Sequence, residues 1–221
     1  MNLPESEKLN IASLSRLFDN KSECYKLFWF QAILTYVCKG QQEITFEELI
    51  DEMIADAWYI LDAGCGTGRD SLVFINAGYA VDAFDASEGM CRYASDLLKI
   101  KVKCMQFEEL SGENEYDGIW ACASLLHVNA VDLPDVLTRI KKLLKPDGVF
   151  YASFKSGSGE RVKEGRYFND MTTETCRKLF SESGFRILEL FESEDVRPGR
   201  SEDWVNVIAG TGKEVKQKTK C

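Results

Sequence analysis

The most constraining feature of this chain is the run Asp62-Ala63-Gly64-Cys65-Gly66-Thr67-Gly68. It follows the apolar stretch Tyr59-Ile60-Leu61 and precedes a stretch with helical spacing, Arg69 to Asn76. A short apolar run closed by turn residues reads as a buried strand. The glycines let the backbone turn tightly and let a ligand approach where a Cβ would otherwise stand. The helix behind them begins with unpaired N–H groups, which favour an electronegative ligand at the turn. Nineteen positions after Gly66, Asp85 closes the next apolar run, Ala80-Val81-Asp82-Ala83-Phe84. A carboxylate there is placed to accept hydrogen bonds from two ribose hydroxyls. A dinucleotide loop of the GxGxxG kind needs glycine at position 69, which is Arg69 here. That argues against a nicotinamide-dependent oxidoreductase. The pattern is instead DxGxGxG, with its acid two residues ahead of the first glycine.

The rest of the chain continues the alternation. Strands are predicted at Tyr59–Ala63, Ala80–Phe84, Val102–Gln106, Gly118–Ala121 and Val149–Phe154, the last entered through a Pro146-Asp147-Gly148 turn. Helices are predicted at Arg69–Asn76, after Ser87 with Met90, Tyr93, Ala94, Leu97 and Leu98 inward, at Asp132–Leu144, and at Thr172–Ser183. Two final strands, Arg186–Glu192 and Trp204–Ala209, have no helix between them and predict an antiparallel hairpin. The fold class is α/β, a Rossmann-like doubly wound, mostly parallel seven-stranded sheet with a C-terminal antiparallel hairpin. Ahead of it, residues 23–38 and a stretch opening with the capping pair Thr45 and Glu48 predict a helical hairpin. The expected division is an N-terminal helical extension over 1–58, the α/β domain over 59–210, and a basic tail over 211–221.

Composition narrows the function classes. The formal net charge is −9, which disfavours nucleic-acid binding because phosphate backbones need a basic footprint. The basic run Lys213, Lys216, Lys218 and Lys220 reads as a solvated tail. No apolar run approaches the roughly 18 residues of a membrane span. The start, MNLPESEKLN, has no basic-then-apolar leader pattern, so the expected location is the cytoplasm. Of eight cysteines none forms a CxxC pair, and with His127 the sole histidine no metal site is expected. Most of the cysteines read as reduced core residues.

Four blocks, ILDAGCGTGRDS, VDAFDAS, YDGIWACASLLHV and LLKPDGVFYASF, resemble in order and spacing the successive motifs of class I S-adenosylmethionine-dependent methyltransferases. The resemblance covers roughly residues 59–210. It is nearest to small bacterial methyltransferases with a GRDS-type first helix, akin to the tellurite-resistance methyltransferases. It implies S-adenosyl-L-methionine as cofactor and S-adenosyl-L-homocysteine as product. It also implies that Asp62, Ala63, Gly64, Cys65, Gly66 and Gly68 hold the methionine part, with Arg69 against its carboxylate. Asp85, with Ala86, Ser87 and Met90 beside it, takes the ribose. Gln106 and Phe107 occupy the adenine motif, where the family often has an acid in place of Gln106. Ala121 and Leu125 lie under the cofactor.

The acceptor side is read from the residues. Methyl transfer from a sulfonium is an in-line displacement that needs alignment and exclusion of water, and a base only where the acceptor must lose a proton. His127, after the fourth strand, is the candidate base. Arg166 and Tyr167, and Arg197 further on, stand in expected loops of an otherwise acidic chain. They are candidates to bind a small anionic acceptor. The family's usual tyrosine-bearing lid segment has no counterpart before Tyr59, and residues 22–58 bear a slight resemblance to the opening of HNH-endonuclease-type or phage-associated proteins. The helical segment therefore covers the cofactor, pairs two copies into a homodimer, or recruits a partner. Two alternative functions follow: a fusion or remnant that binds the cofactor as a non-catalytic interaction module, and an RNA or protein methyltransferase lacking the NPPY motif.

Overall fold

The computed structural model describes Thr45 and residues 58–195 and 203–211. The chain divides into two compact units, one of Met1–Ala57 with Ile75–Tyr79, the other of Trp58–Phe74 with Ala80–Cys221. The expected N-terminal helical hairpin, Arg197 and the basic tail lie outside the described residues.

The second unit is built on a seven-stranded sheet. Its strands are β1 (Tyr59–Ala63), β2 (Ala80–Asp85), β3 (Lys103–Cys104), β4 (Tyr116–Ala121), β5 (Leu144–Lys155), β8 (Arg186–Ser193) and β9 (Trp204–Gly210), in the spatial order β3-β2-β1-β4-β5-β9-β8. The first five pair in parallel, and β9 runs antiparallel to both β5 and β8. The Rossmann-like architecture read from the sequence is the one observed. Four helices accompany it: α1 (Arg69–Asn76), α2 (Glu88–Leu98), α3 (Leu133–Leu143) and α4 (Thr173–Glu182). None of them is long and apolar enough to cross a membrane.

Sequence explains most of these elements directly. In α3, Leu133, Val136, Leu137, Ile140 and Leu143 are all buried, the spacing of one helical face. Each such side chain contributes roughly 1.5–3 kcal/mol on burial. Thr172 caps α4 by accepting from the Thr175 amide at 3.1 Å. Phe150 of β5 stacks on Phe180 of α4 at 5.6 Å, and Phe154 meets the same ring edge-on.

Four details differ from the sequence reading. Strand β3 is only Lys103–Cys104. The Pro146-Asp147-Gly148 turn does not precede β5 but bulges within it. Pairing jumps from Tyr116↔Leu144 to Gly118↔Val149, and Asp147 takes a φ of 65°. The inward stripe of α2 is rotated, because Cys91, Ala94 and Leu98 are buried while Met90, Tyr93 and Leu97 are 38%, 59% and 41% exposed. Ala94 and Leu98 face inward where α2 passes close to the glycine turn. A Cβ on Gly68 would stand 3.2 Å from that of Ala94.

The fourth difference is a missed hairpin. Residues read as loop form β6 (Gly159–Lys163) and β7 (Arg166–Asp170), a separate two-stranded sheet. Lys163 pairs with Arg166, so the turn is Glu164-Gly165 alone, with φ of 51° and 74°. Positive φ at both central residues is the tight hairpin turn whose twist matches the strands.

Candidate functional site

The sheet reverses its strand order at β1. Strands β2 and β3 are laid down to one side of it, β4 and β5 to the other. Right-handed crossovers place the two sets of connections on opposite faces, which leaves a crevice beyond the carboxyl ends of β1 and β4. A cavity of about 650 Å³ lies in this crevice, a size suited to a small-molecule ligand.

The glycine turn forms one wall. Gly64 and Cys65 both donate to the Phe84 carbonyl at 2.9 Å, tying the turn to the end of β2. Gly64 is sterically required: with φ +78°, a Cβ there would lie 2.4 Å from the Ser124 Cβ. Gly66 differs. Its φ is +54°, and a Cβ would meet nothing within 4 Å. Gly66 lines the cavity, so the space beside it is open to a ligand.

Asp85 is held from both sides. One carboxylate oxygen accepts from the Gly66 amide at 2.9 Å and the other from the Ser87 amide at 2.8 Å. Each oxygen retains a lone pair, so the group is oriented yet still able to accept from a diol. Ala86, Ser87 and Met90 continue this wall, and Met105, Gln106, Phe107 and Glu108 form the next. Phe107 is fixed edge-on against Phe84 at 5.1 Å. The Gln106 amide is taken by the Glu109 carboxylate at 2.7 Å.

Other expected cofactor residues stand behind these. Asp62 is 3% exposed and does not line the cavity. Its carboxylate accepts from the Ser71 hydroxyl of α1 at 2.5 Å, bracing the strand against the helix. Burial pushes the Asp62 carboxyl up to about 6, with Asp70 and Asp85 adding to the rise and the Ser71 hydrogen bond opposing it. Ala63 is buried, and its carbonyl accepts from the Ser124 hydroxyl at 2.6 Å. Burial, followed by the Asp62 and Asp85 charges, pushes the Cys65 thiol up to about 12, so it is neutral at physiological pH.

Three of the expected residues stand away from the cavity. The Arg69 guanidinium does not line the cavity; its Nε donates to Asp70 at 2.7 Å and the side chain is 78% exposed. An adjacent carboxylate on the same helix offers the cation a partner at hand. Ala121 and Leu125 are fully buried in the core and do not reach the cavity. In their stretch of chain, Ala123, Ser124, Val128 and Asn129 line it instead. The backbone decides this: Ala123 takes φ +53° and its amide donates to the Ser153 hydroxyl at 2.8 Å, turning the chain just after β4. A small-residue run such as Ala121-Cys122-Ala123-Ser124 after a strand carries no periodic signal for that turn.

His127, Arg166 and Tyr167 also line the cavity. His127 Nδ1 lies 2.7 Å from the Tyr167 carbonyl. A carbonyl can only accept, so Nδ1 carries the proton, and the neutral ring presents Nε2 as its basic atom. The ring also meets Phe168 edge-on at 4.9 Å. The Tyr167 hydroxyl donates to Glu160 and accepts from the Ala130 amide at 3.1 Å, latching the β6–β7 hairpin to the loop after β4. Arg166 is exposed and has no ion-pair partner among the described residues. Among the described residues no group of three or more metal-ligating side chains occurs.

A glycine turn closed by the Asp85 carboxylate, at the switch point of a sheet ordered β3-β2-β1-β4-β5-β9-β8, is the arrangement that the resemblance to class I S-adenosylmethionine-dependent methyltransferases implies. Comparison with known proteins agrees. Residues 60–148 match the family described as Methyltransferase domain. It is 25% identical over 202 residues to sterol 24-C-methyltransferase ERG6B of Gibberella zeae, covering 83% of this chain and 50% of that protein. It is 28% identical over 182 residues to the malonyl-[acyl-carrier protein] O-methyltransferase of Pectobacterium atrosepticum, covering 79% and 66% respectively. The chain thus spans half to two thirds of the length of these relatives. In fold it is similar to the 1,6-didemethyltoxoflavin-N1-methyltransferase of Burkholderia thailandensis, solved with its acceptor and S-adenosylhomocysteine. That likeness has a TM-score of 0.64 at 21% identity and covers 96% of this chain and 94% of the other.

Proposed function

We propose that this chain is a cytoplasmic S-adenosylmethionine-dependent methyltransferase acting on a small anionic acceptor. The observation that carries the reading is a single cavity lined by Gly66 and Asp85 together with Arg166 and His127. The first pair suits the cofactor and the second suits an acceptor. S-adenosylmethionine, when bound, supplies an electrophilic methyl group on a sulfonium leaving group. The Asp85 carboxylate, with Met90 beside it, and the open side of Gly66 would hold its ribose and its methionine end, and Gln106 and Phe107 its adenine. Arg166 is a guanidinium without a carboxylate partner among the described residues, in a chain of net charge −9. It would hold an acceptor carboxylate or oxyanion in place. Where that acceptor must lose a proton, His127 Nε2 is the group to take it, with the Tyr167 carbonyl keeping the tautomer correct. Tyr167 itself then acts mainly by positioning. Arg197 is proposed as a second acceptor contact. The segment 1–58 is proposed as a lid or a pairing surface for a second copy, which light scattering on the purified chain distinguishes.

The test has two arms. Calorimetry with S-adenosylmethionine, S-adenosylhomocysteine and NAD should show the first two bind and NAD does not. A labelled-methyl screen over small acids, thiols, metalloid oxyanions and RNA should find turnover among the anions. Arg166→Ala should then raise KM for that acceptor about tenfold, from the loss of one partly screened charged hydrogen bond. Cofactor affinity should stay within twofold of wild type, roughly the margin expected for a site the variant does not touch. Cofactor binding without any turnover would favour a non-catalytic module, and an unchanged KM in Arg166→Ala would remove the anionic acceptor.

A further inference from the structure

Two cysteines outside the cavity have an arrangement that the proposed reaction does not use. Cys91 is buried on α2, whereas Cys104, at the end of β3, is exposed. The Cys91 thiol donates to the Asp85 carbonyl at 3.1 Å and also lies 3.5 Å from the Lys103 carbonyl. The Cys104 thiol lies 3.9 Å from the Ala86 carbonyl. In register, Cys104 is the partner of Asp85 across the β2–β3 pair. Both thiols therefore hang on consecutive carbonyls of one turn. They share an open depression of about 420 Å³, which Glu88, Arg92 and Asp96 also line. An exposed thiol with a second thiol behind it is the arrangement of an oxidisable cysteine and its resolving partner.

We propose that Cys91 and Cys104 are a peroxide-oxidisable dithiol whose disulfide loosens the Asp85 corner. The Cys104 thiolate attacks hydrogen peroxide, the O–O bond breaks, and a sulfenic acid and hydroxide form. The Cys91 sulfur then attacks the Cys104 sulfur, the S–O bond breaks, and water leaves with the Cys91 proton. Overall, two S–H bonds are replaced by one S–S bond, both sulfurs are oxidised, and peroxide is reduced to two waters. A disulfide has no S–H, so the hydrogen bonds to the Asp85 and Ala86 carbonyls are lost together. Those carbonyls belong to the turn that aims the Asp85 carboxylate and presents the Ser87 amide. The coupling to cofactor affinity rests on the proposed function, whereas the dithiol does not.

The experiment treats the full chain with hydrogen peroxide, blocks remaining thiols, and maps peptides by mass under non-reducing conditions. S-adenosylhomocysteine affinity is measured by calorimetry before and after, and again after dithiothreitol. The expected result is a cross-linked peptide pair containing Cys91 and Cys104, lighter by two hydrogens. Affinity should fall about fivefold, the worth of one or two weak hydrogen bonds, and return on reduction. Cys104→Ser should abolish both the cross-link and the response to peroxide. Cys104 oxidised without linkage to Cys91, or a linked protein that binds as tightly as the reduced one, overturns the proposal. Failure of the reduced protein to bind S-adenosylhomocysteine at all counts instead against the proposed function, because the peptide map still reports on the dithiol.

Discussion

Asp62→Asn should change how stability depends on pH, because Asp62 is a carboxylate kept where a carboxylate is costly. The residue is 3% exposed. Burial first, then the charges of Asp70 and Asp85, lift its carboxyl from 3.8 to about 6, against the pull of the Ser71 hydroxyl. A difference of about two pH units between folded and unfolded chain corresponds to about 3 kcal/mol. The unfolded chain releases this proton near pH 4 and the folded chain near pH 6. Between those values the folded state binds the extra proton, so stability falls as pH rises through the window. Above it the cost is constant, and below it the cost is absent. Asparagine keeps an oxygen for Ser71 to donate to but cannot titrate. Its amide introduces its own penalty, which is the same at every pH and cancels when the two curves are subtracted. Urea unfolding of both proteins from pH 4 to pH 8 should show wild type losing about 3 kcal/mol relative to the variant. In thermal scans this corresponds to roughly 6–12 °C for a domain of this size. Two pH curves separated by a constant offset would refute the argument that Asp62 is strained by burial.

The two glycines of the turn should fail in different ways. Gly64→Ala forces a Cβ against that of Ser124 at 2.4 Å, and chemical denaturation should show a loss of about 3 kcal/mol or more. Gly66→Ala meets no atom, so only its positive φ is penalised, by about 1–2 kcal/mol. Its S-adenosylhomocysteine affinity in calorimetry should fall at least about tenfold, because the new methyl enters the ligand's space. With a proton-bearing acceptor in hand, His127→Gln should lower kcat by about 10²-fold or more while leaving cofactor affinity unchanged. Tyr167→Phe removes the hydroxyl between Glu160 and Ala130. It should cost under about 1 kcal/mol in stability yet raise acceptor KM.

Much of the fold was legible because local patterns and tertiary demands coincide. The apolar residues at positions 133, 136, 137, 140 and 143 mark the buried face of α3, and that face is buried. Two strands without a helix between them announced the antiparallel pair β8 and β9. Where several helix faces were apolar, the pattern was ambiguous. In α2 the residues Met90, Tyr93 and Leu97 suggested one stripe, but the buried face is that of Cys91, Ala94 and Leu98, with Ala94 and Leu98 against the glycine turn. The hairpin β6–β7 had only half a signal between Lys163 and Arg166: Gly165 suits a positive φ, but Glu164, which also takes one, is not a residue type that marks such a turn.

The sequence by itself determined the turn at Gly64–Gly68, the carboxylate at Asp85 and the α/β alternation that brings them to one sheet edge. These depend on backbone freedom and hydrophobic period, which are local properties of the chain. Tertiary structure alone decided that Asp62 braces α1 instead of facing the cavity, and that Ala123 and Ser124 stand at the wall where Ala121 and Leu125 were expected. It also decided that a carbonyl of a distant hairpin sets the tautomer of His127. Each of these rests on a partner up to 61 residues away along the chain, and side-chain direction toward such a partner leaves no periodic trace in sequence.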